Sequence, residues 1–246
     1  MLIKKIKKIA LRDYLTEHPR IYLRFGVLWM LRYRNYIDRK LILGERYEDA
    51  QLKHCSHIIK KEGVTCFIDA GANFGLYSIT LAAENESLQS VIAFEPDRRN
   101  FNQLSANIYL NNLDAQIDAR RMGLSNEAGV VSFFINKGNS TGKSRVAETA
   151  PAGTKADDFD EIAIEVDCLD SQLESIRDEN IYIKIDVEGH EKLVVSGGKS
   201  FFERNRCFLQ MEILAEQEKM IRWMSEEMGF VFLQSIQNDY FFKTAE

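Results

Sequence analysis

The sequence predicts an α/β fold: a Rossmann-like, doubly wound, mostly parallel sheet closed by an antiparallel C-terminal hairpin, with a helical N-terminal extension. Three observations predict it. A short apolar run, Thr65-Cys66-Phe67-Ile68, ends in Asp69 and a glycine-bearing turn, Gly71 to Gly75, that opens a helical pattern. Twenty residues past Gly75 a second apolar run, Val91-Ile92-Ala93-Phe94, ends in Glu95. Near-continuous apolar runs then alternate with helix-like stretches, as strands covered on both faces do.

The elements follow in order. Residues 1–16 read as a helix with Ile3, Ile6, Ile9 or Ala10, and Tyr14 on one face, broken by His18-Pro19. Residues 20–43 are aromatic and basic and read as helical; residues 47–61 form a further helix leading into the first strand. Strands are expected at 64–69, 90–95, 115–121, 130–135, 162–167, 181–186, 207–213, 229–235 and 239–243. Helices are expected at 74–84, 97–111, 168–176, 188–204 and 214–227. Residues 136–160, rich in Gly, Ser, Asn and Lys, read as a mobile loop on the substrate side. The chain divides into an extension, 1–45, and one domain, 46–246.

Bulk properties narrow the class. With 246 residues and 45% hydrophobic content, the chain can build one full α/β domain plus a small extension. Cys55, Cys66, Cys168 and Cys207 are far apart and form no CxxC, which points to a reducing compartment and no structural zinc. The N-terminus lacks the apolar core of a signal peptide, and Ile21 to Leu31 is too short to span a bilayer, so a cytoplasmic location is expected. Charge is uneven: residues 1–46 hold twelve Lys/Arg and four Asp/Glu, a net of +8 on a chain of −5, leaving −13 for the rest. A basic leader on an acidic body predicts an anionic partner near the N-terminus.

The two acid-ended strands predict an adenosine site. Glycines let the backbone approach the ligand, and the second acid, Glu95, takes two ribose hydroxyls. The Gly71–Gly75 spacing is neither the G-x-G-x-x-G of dinucleotide binders nor a Walker loop. The turn carries Asp69 and no Lys or Arg, so it suits a cationic ligand rather than a pyrophosphate. S-adenosylmethionine joins an adenosine to a sulfonium and an amino-acid tail; Asp69 and the turn amides around Gly71 could meet that tail.

The chemistry is expected at the end of Ile181-Tyr182-Ile183-Lys184-Ile185-Asp186, followed by Val187-Glu188-Gly189-His190. Ligands of open α/β sheets bind beyond the carboxyl ends of strands, which puts Asp186, Glu188 and His190 at the active edge. An imidazole with a pKa near ~6.5 suits removal of a hydroxyl proton, which makes His190 the attractive base. Glu212 ends the neighbouring strand. Asp186, Glu188, His190 and Glu212 could alternatively hold a hard divalent metal, the less favoured reading.

These residues resemble a known family, the FkbM-type methyltransferases. The resemblance rests on Ile68 to Ser78, Phe94-Glu95-Pro96-Asp97, Asn107-Ile108 with Asn111-Asn112, Gly123 to Asn126 with Gly129, Val166-Asp167, Leu169-Asp170 and Lys184 to Glu191. It covers roughly residues 45–243. It implies a class I methyltransferase fold, S-adenosylmethionine as cofactor and transfer mostly to oxygen. By the resemblance, Asp69, Gly71, Asn73 and Gly75 shape the methionine end, Glu95 holds the ribose, and Pro96, Asp97 and Gly123 flank the adenine. Asp186, Glu188 and His190 face the methyl group and acceptor.

The expected acceptor is a hydroxyl of a sugar, in a surface glycan, glycolipid or glycosylated metabolite, as in polysaccharide biosynthesis. RNA, a non-sugar small molecule, or an inactive cofactor-binding module are the alternatives. The basic aromatic leader could lie peripherally on an anionic membrane; a nucleic-acid partner is disfavoured.

Overall fold

The computed structural model describes residues 18–136, 145–146 and 159–245. The expected helix at 1–16 and most of the expected loop at 136–160 lie outside the described residues.

The central sheet has seven strands. In chain order they are β3 (Cys66–Ala70), β4 (Ser90–Phe94), β5 (Ile117–Arg120), β10 (Asn180–Ile185), β11 (Arg206–Glu212), β12 (Phe230–Ile236) and β13 (Asp239–Thr244). Their spatial order is β12-β13-β11-β10-β3-β4-β5. The five from β11 to β5 pair in parallel, while β13 runs antiparallel between β11 and β12. Every residue of β3 is buried, the mark of a strand covered on both faces. One core layer holds Phe67, Phe74 and Tyr182, with helices Asp49–Glu62, Leu76–Glu84 and Arg98–Leu110 against it. The other holds Ile183, Phe201 and Met224 under the C-terminal helices.

Two expected strands, 130–135 and 162–167, do form but lie outside the central sheet. They are β7 (Gly129–Asn136) and β9 (Phe159–Asp167), antiparallel partners in a four-stranded sheet with β6 (Gly123–Leu124) and β8 (Arg145–Val146). Most side chains of β9 remain at least partly exposed, so one cover suffices. The expected helix at 188–204 is two, Glu191–Ser196 and Lys199–Glu203. They break at Gly197-Gly198, where a Cβ on Gly197 would fall onto the Ser125 carbonyl. The expected helix at 168–176 shortens to Leu169–Gln172.

The helical reading of residues 20–43 is corrected. β1 (Arg20–Arg24) and β2 (Val27–Leu31) form an antiparallel hairpin, and only Tyr36–Ile42 is helical. Phe25 and Gly26, both at positive φ (54° and 83°), make the two-residue turn that matches strand twist. Nor is the hairpin a separate body. Trp29 meets Phe74 edge-on with ring centroids 5.8 Å apart, and the amides of Met30 and Leu28 donate to Asn107 and Asn111. Val27, Trp29 and Leu31 join the same core as Phe67. Asp38 ties the module down, accepting from the Arg32 amide at 2.7 Å and from Gln103 at 2.9 Å. Among the described residues, no helix is long and apolar enough to cross a membrane.

Candidate active site

The chain leaves β3 for β4 on one side and β10 for β11 on the other. This reversal opens a crevice at the C-terminal ends of β3 and β10. A cleft of about 280 Å³ fills it. Its floor is the turn from Asp69 to Tyr77; Glu95, Pro96 and Met122 to Leu124 form one end, and Asp186 to Glu188 with Glu212 form the other. Phe133, Val146, Ile164 and Val166 of the small sheet and, ahead of β3 in the chain, Tyr36, Ile37, Tyr47 and Glu48 complete the walls.

Close approach explains the glycines. Gly71 sits at φ +89°, and a Cβ there would fall onto the Asp186 carbonyl. Gly75, at φ +93°, lets Leu104 and Ile79 press against its backbone. Four of the turn amides, those of Gly71, Ala72, Asn73 and Gly75, already have partners within the protein. Those of Gly71 and Ala72 both donate to the Phe94 carbonyl at 3.0 Å, that of Gly75 to Ala72, and that of Asn73 to Glu95 Oε2 at 2.8 Å. Asp69 Oδ2 is committed to Ser78, accepting from its amide and its hydroxyl at 3.1 and 2.6 Å.

Glu95 lines the cleft yet is only 5% exposed. Burial pushes its pKa up to about 8 against the amides of Asp97 and Asn73 that favour the carboxylate. Those two N–H groups fix its orientation at 2.7 and 2.8 Å and leave each oxygen acceptor capacity for ligand hydroxyls. Asn73 Oδ1 is buried without a partner, an acceptor suited to an ammonium group. A ribose acid, an apolar wall beyond it and an orphaned acceptor on the floor fit S-adenosylmethionine.

The opposite end is acidic. β10 and β11 run in register, Ile185 beside Met211, so Asp186 and Glu212 emerge side by side. Glu188 and Gly189 both take positive φ (56° and 101°), and Glu191 Oε1 accepts from the amides of Gly189 and Val187, holding that turn. Asp186, Glu188 and Glu212 offer oxygens within 4.8 Å of one another. Burial, with Asp186 and Glu188 beside it, raises the Glu212 pKa to about 9, and Glu212 is hydrogen-bonded to Asp186.

Behind them lies Lys184, 4% exposed, its Nζ 2.7 Å from Asp186 Oδ2 and 4.7 Å from the Tyr77 ring centre. Burial opposes its charge, but Asp186, Glu48, Asp69 and Asp239 outweigh burial and hold its pKa above that of an ordinary lysine. Glu48 accepts from the Tyr77 hydroxyl at 2.8 Å. Burial first, then Glu48, Asp186 and Glu212, push the Tyr47 phenol up, so Tyr47 stands at the acidic end too.

Two expected site residues are buried. Asp97 is fully buried outside the cleft lining; it caps helix Arg98–Leu110 through the Arg99 amide and pairs with the Arg99 guanidinium at 2.9 Å. His190 borders the cleft but is 3% exposed, with Nε2 3.0 Å from Ser125 Oγ. Its buried ring stands outside the cluster of three carboxylates. The four-ligand metal set therefore reduces to three carboxylates, and a proton on Glu212 with the Lys184 ammonium beside Asp186 leaves them one net negative charge.

Lys184, Tyr47 and Glu48 went unassigned from sequence. A lysine between Ile183 and Ile185 in an otherwise apolar run was the available signal, because a buried charge requires partners. Tyr47 and Glu48 carry no such signal.

The order β5-β4-β3-β10-β11-β13-β12 with β13 antiparallel, and a cleft at the switch point between β3 and β10, define the class I methyltransferase fold. The sequence profile of the methyltransferase FkbM domain matches residues 69–232, and the chain belongs to that family. Methyltransferase sdnD of Sordaria araneosa is 29% identical over 184 residues, covering 65% of this chain and 69% of that protein. Methyltransferase FkbM from Methylobacillus flagellatus KT is similar at a TM-score of 0.45 and 17% identity, over 74% of this chain and 44% of that one. TrmK of M. capricolum, solved with S-adenosylhomocysteine, is similar at a TM-score of 0.43 and 11% identity, over 80% and 68%.

Proposed function

We propose that the protein is an O-methyltransferase that uses S-adenosylmethionine and acts on a sugar hydroxyl. The observation that carries this reading is one cleft with a buried ribose acid, Glu95, at one end and the Asp186–Glu188–Glu212 cluster at the other. S-adenosylmethionine supplies an electrophilic methyl group on a sulfonium. The residues hold and orient. Glu95 receives the ribose, Asn73 the ammonium, and Pro96, Met122 and Gly123 border the adenine. The acids of the far end favour a cation nearby.

With Glu212 protonated near neutral pH, the salt-bridged Asp186 is the carboxylate that takes the acceptor proton, a contribution of ~10²–10⁴-fold. Positioning supplies the larger share. Glu188, Glu48 and Tyr47 can accept from or donate to further hydroxyls, as a polyol requires. The acidic rim repels a phosphate next to the reacting hydroxyl, which disfavours RNA.

The test is transfer of labelled methyl from S-adenosylmethionine into host extract separated into glycan and glycolipid, small-molecule, RNA and protein fractions. Label in glycan, lost in Glu95→Gln, supports the reading. Label in RNA or protein keeps the cofactor chemistry and overturns the acceptor.

A further inference from the structure

We propose that the outward face of the N-terminal hairpin docks on an anionic lipid bilayer. Register puts Ile21 beside Met30 and Leu23 beside Leu28 on one face, while Tyr22, Trp29, Val27 and Leu31 occupy the other. That second face is in the core. The first is apolar at all four positions yet uncovered: Ile21 is 57% exposed, Leu23 62%, and Leu28 and Met30 are half-buried. An ordinary two-stranded ribbon on a core would be polar on its outward side. Contiguous apolar surface of this kind marks an interaction site.

Charge selects the occupant. Residues 18–46 hold seven Lys/Arg against Asp38 and Glu45, and Asp38 is fully buried. At the hairpin tip the Arg46 guanidinium stacks 4.3 Å over the Phe25 ring, joining a cation to an exposed aromatic. Residues 1–17 add five Lys/Arg against two acids. By sequence, cations concentrate in the first 46 residues of a chain of net −5. A second copy of the same face would repel it. An anionic bilayer accepts apolar side chains below its headgroups and cations among them. Tyr36, which lines the catalytic cleft, belongs to the same module.

The experiment is co-sedimentation of the full chain with vesicles of phosphatidylcholine, alone or doped with phosphatidylglycerol. Binding only to the doped vesicles, weakened by salt, is expected. Ile21→Asp with Leu23→Asp should weaken it at least about tenfold, with thermal unfolding unchanged because both side chains point outward. Val130→Asp, at an exposed position on the small sheet, should bind as the parent does. Equal binding to neutral vesicles, or none to doped ones, overturns the proposal. So does self-association that the double variant abolishes. Replacing Lys4, Lys5, Lys7 and Lys8 by Gln offers a further check: if this abolishes binding while the double variant retains it, the leader alone binds and the hairpin is excluded.

Discussion

Lys184 Nζ reaches Asp186 Oδ2 at 2.7 Å across one intervening residue of the same strand. Alternation along β10 and the residue that follows it, whose amide still pairs with the Ala70 carbonyl, puts both on one side, where Glu48 and Tyr77 also meet. A single buried ammonium thus serves several carboxylates at the reacting end of the cleft.

Lys184→Met should be severely damaging, because it leaves buried carboxylates uncompensated. A loss of about 3–5 kcal/mol in unfolding free energy is expected, with methyl transfer falling further than stability alone explains. Urea unfolding and single-turnover transfer, read on the same preparation, check both. Retention of parental turnover would remove Lys184 from the reaction.

Glu95 governs the cofactor. Glu95→Gln should weaken S-adenosylhomocysteine binding by roughly 10–100-fold, the value of hydrogen bonds to a charged acceptor. Burial holds the Glu95 pKa near about 8, and ribose hydroxyls donate best to the ionised form. Affinity should therefore rise as pH increases through about 8 and then level off. Calorimetry across that range should give a flat profile for the Gln variant.

Asp186 and His190 separate by what they change. Asp186→Asn should lower the rate of transfer by about 10²-fold or more and leave cofactor affinity near the parental value. His190→Ala removes a buried ring that meets Ser125, so it should lower the unfolding midpoint more than it slows the chemical step. If the order of the two rate effects is reversed, His190 is the base.

Asp38 makes the N-terminal module sensitive to pH. Burial raises its pKa from 3.8 to about 6, against the Arg32 amide and Gln103. The folded chain therefore binds this proton more tightly than the unfolded chain does. The contribution, about 3 kcal/mol, is complete below about pH 4 and is lost as pH rises through about 6. Asp38→Asn should flatten that part of the stability profile measured by urea unfolding.

The parallel strands were legible because burial on both faces writes near-continuous apolar runs, as in β3 and β10. The pairing of Asp186 with Glu212 followed from parallel neighbours ending together. The β1–β2 hairpin was not legible, and the reason is physical: Ile21, Leu23, Leu28 and Met30 make its outward face apolar, which erases the period-two contrast of an amphipathic strand. The small sheet was half legible. Its strands show in the sequence, but the antiparallel pairing of β7 with β9 spans a long connection that carries no pattern. Asp97 misled because an acid after Pro96 serves equally as a helix cap. The burial of His190 against Ser125 was not legible, because residue type reveals a ring's pKa range and not its surroundings.

The matched FkbM region runs from residue 69 to 232, whereas Tyr36, Ile37, Tyr47 and Glu48 precede it. Two homologues could therefore share every group that handles the cofactor and still present different walls to whatever enters. Transferring an acceptor between them on catalytic motifs alone would be unsafe. Grafting residues 20–46 from one onto another, which leaves Tyr47 and Glu48 in place beside Lys184 and Tyr77, is the natural way to re-specify the enzyme.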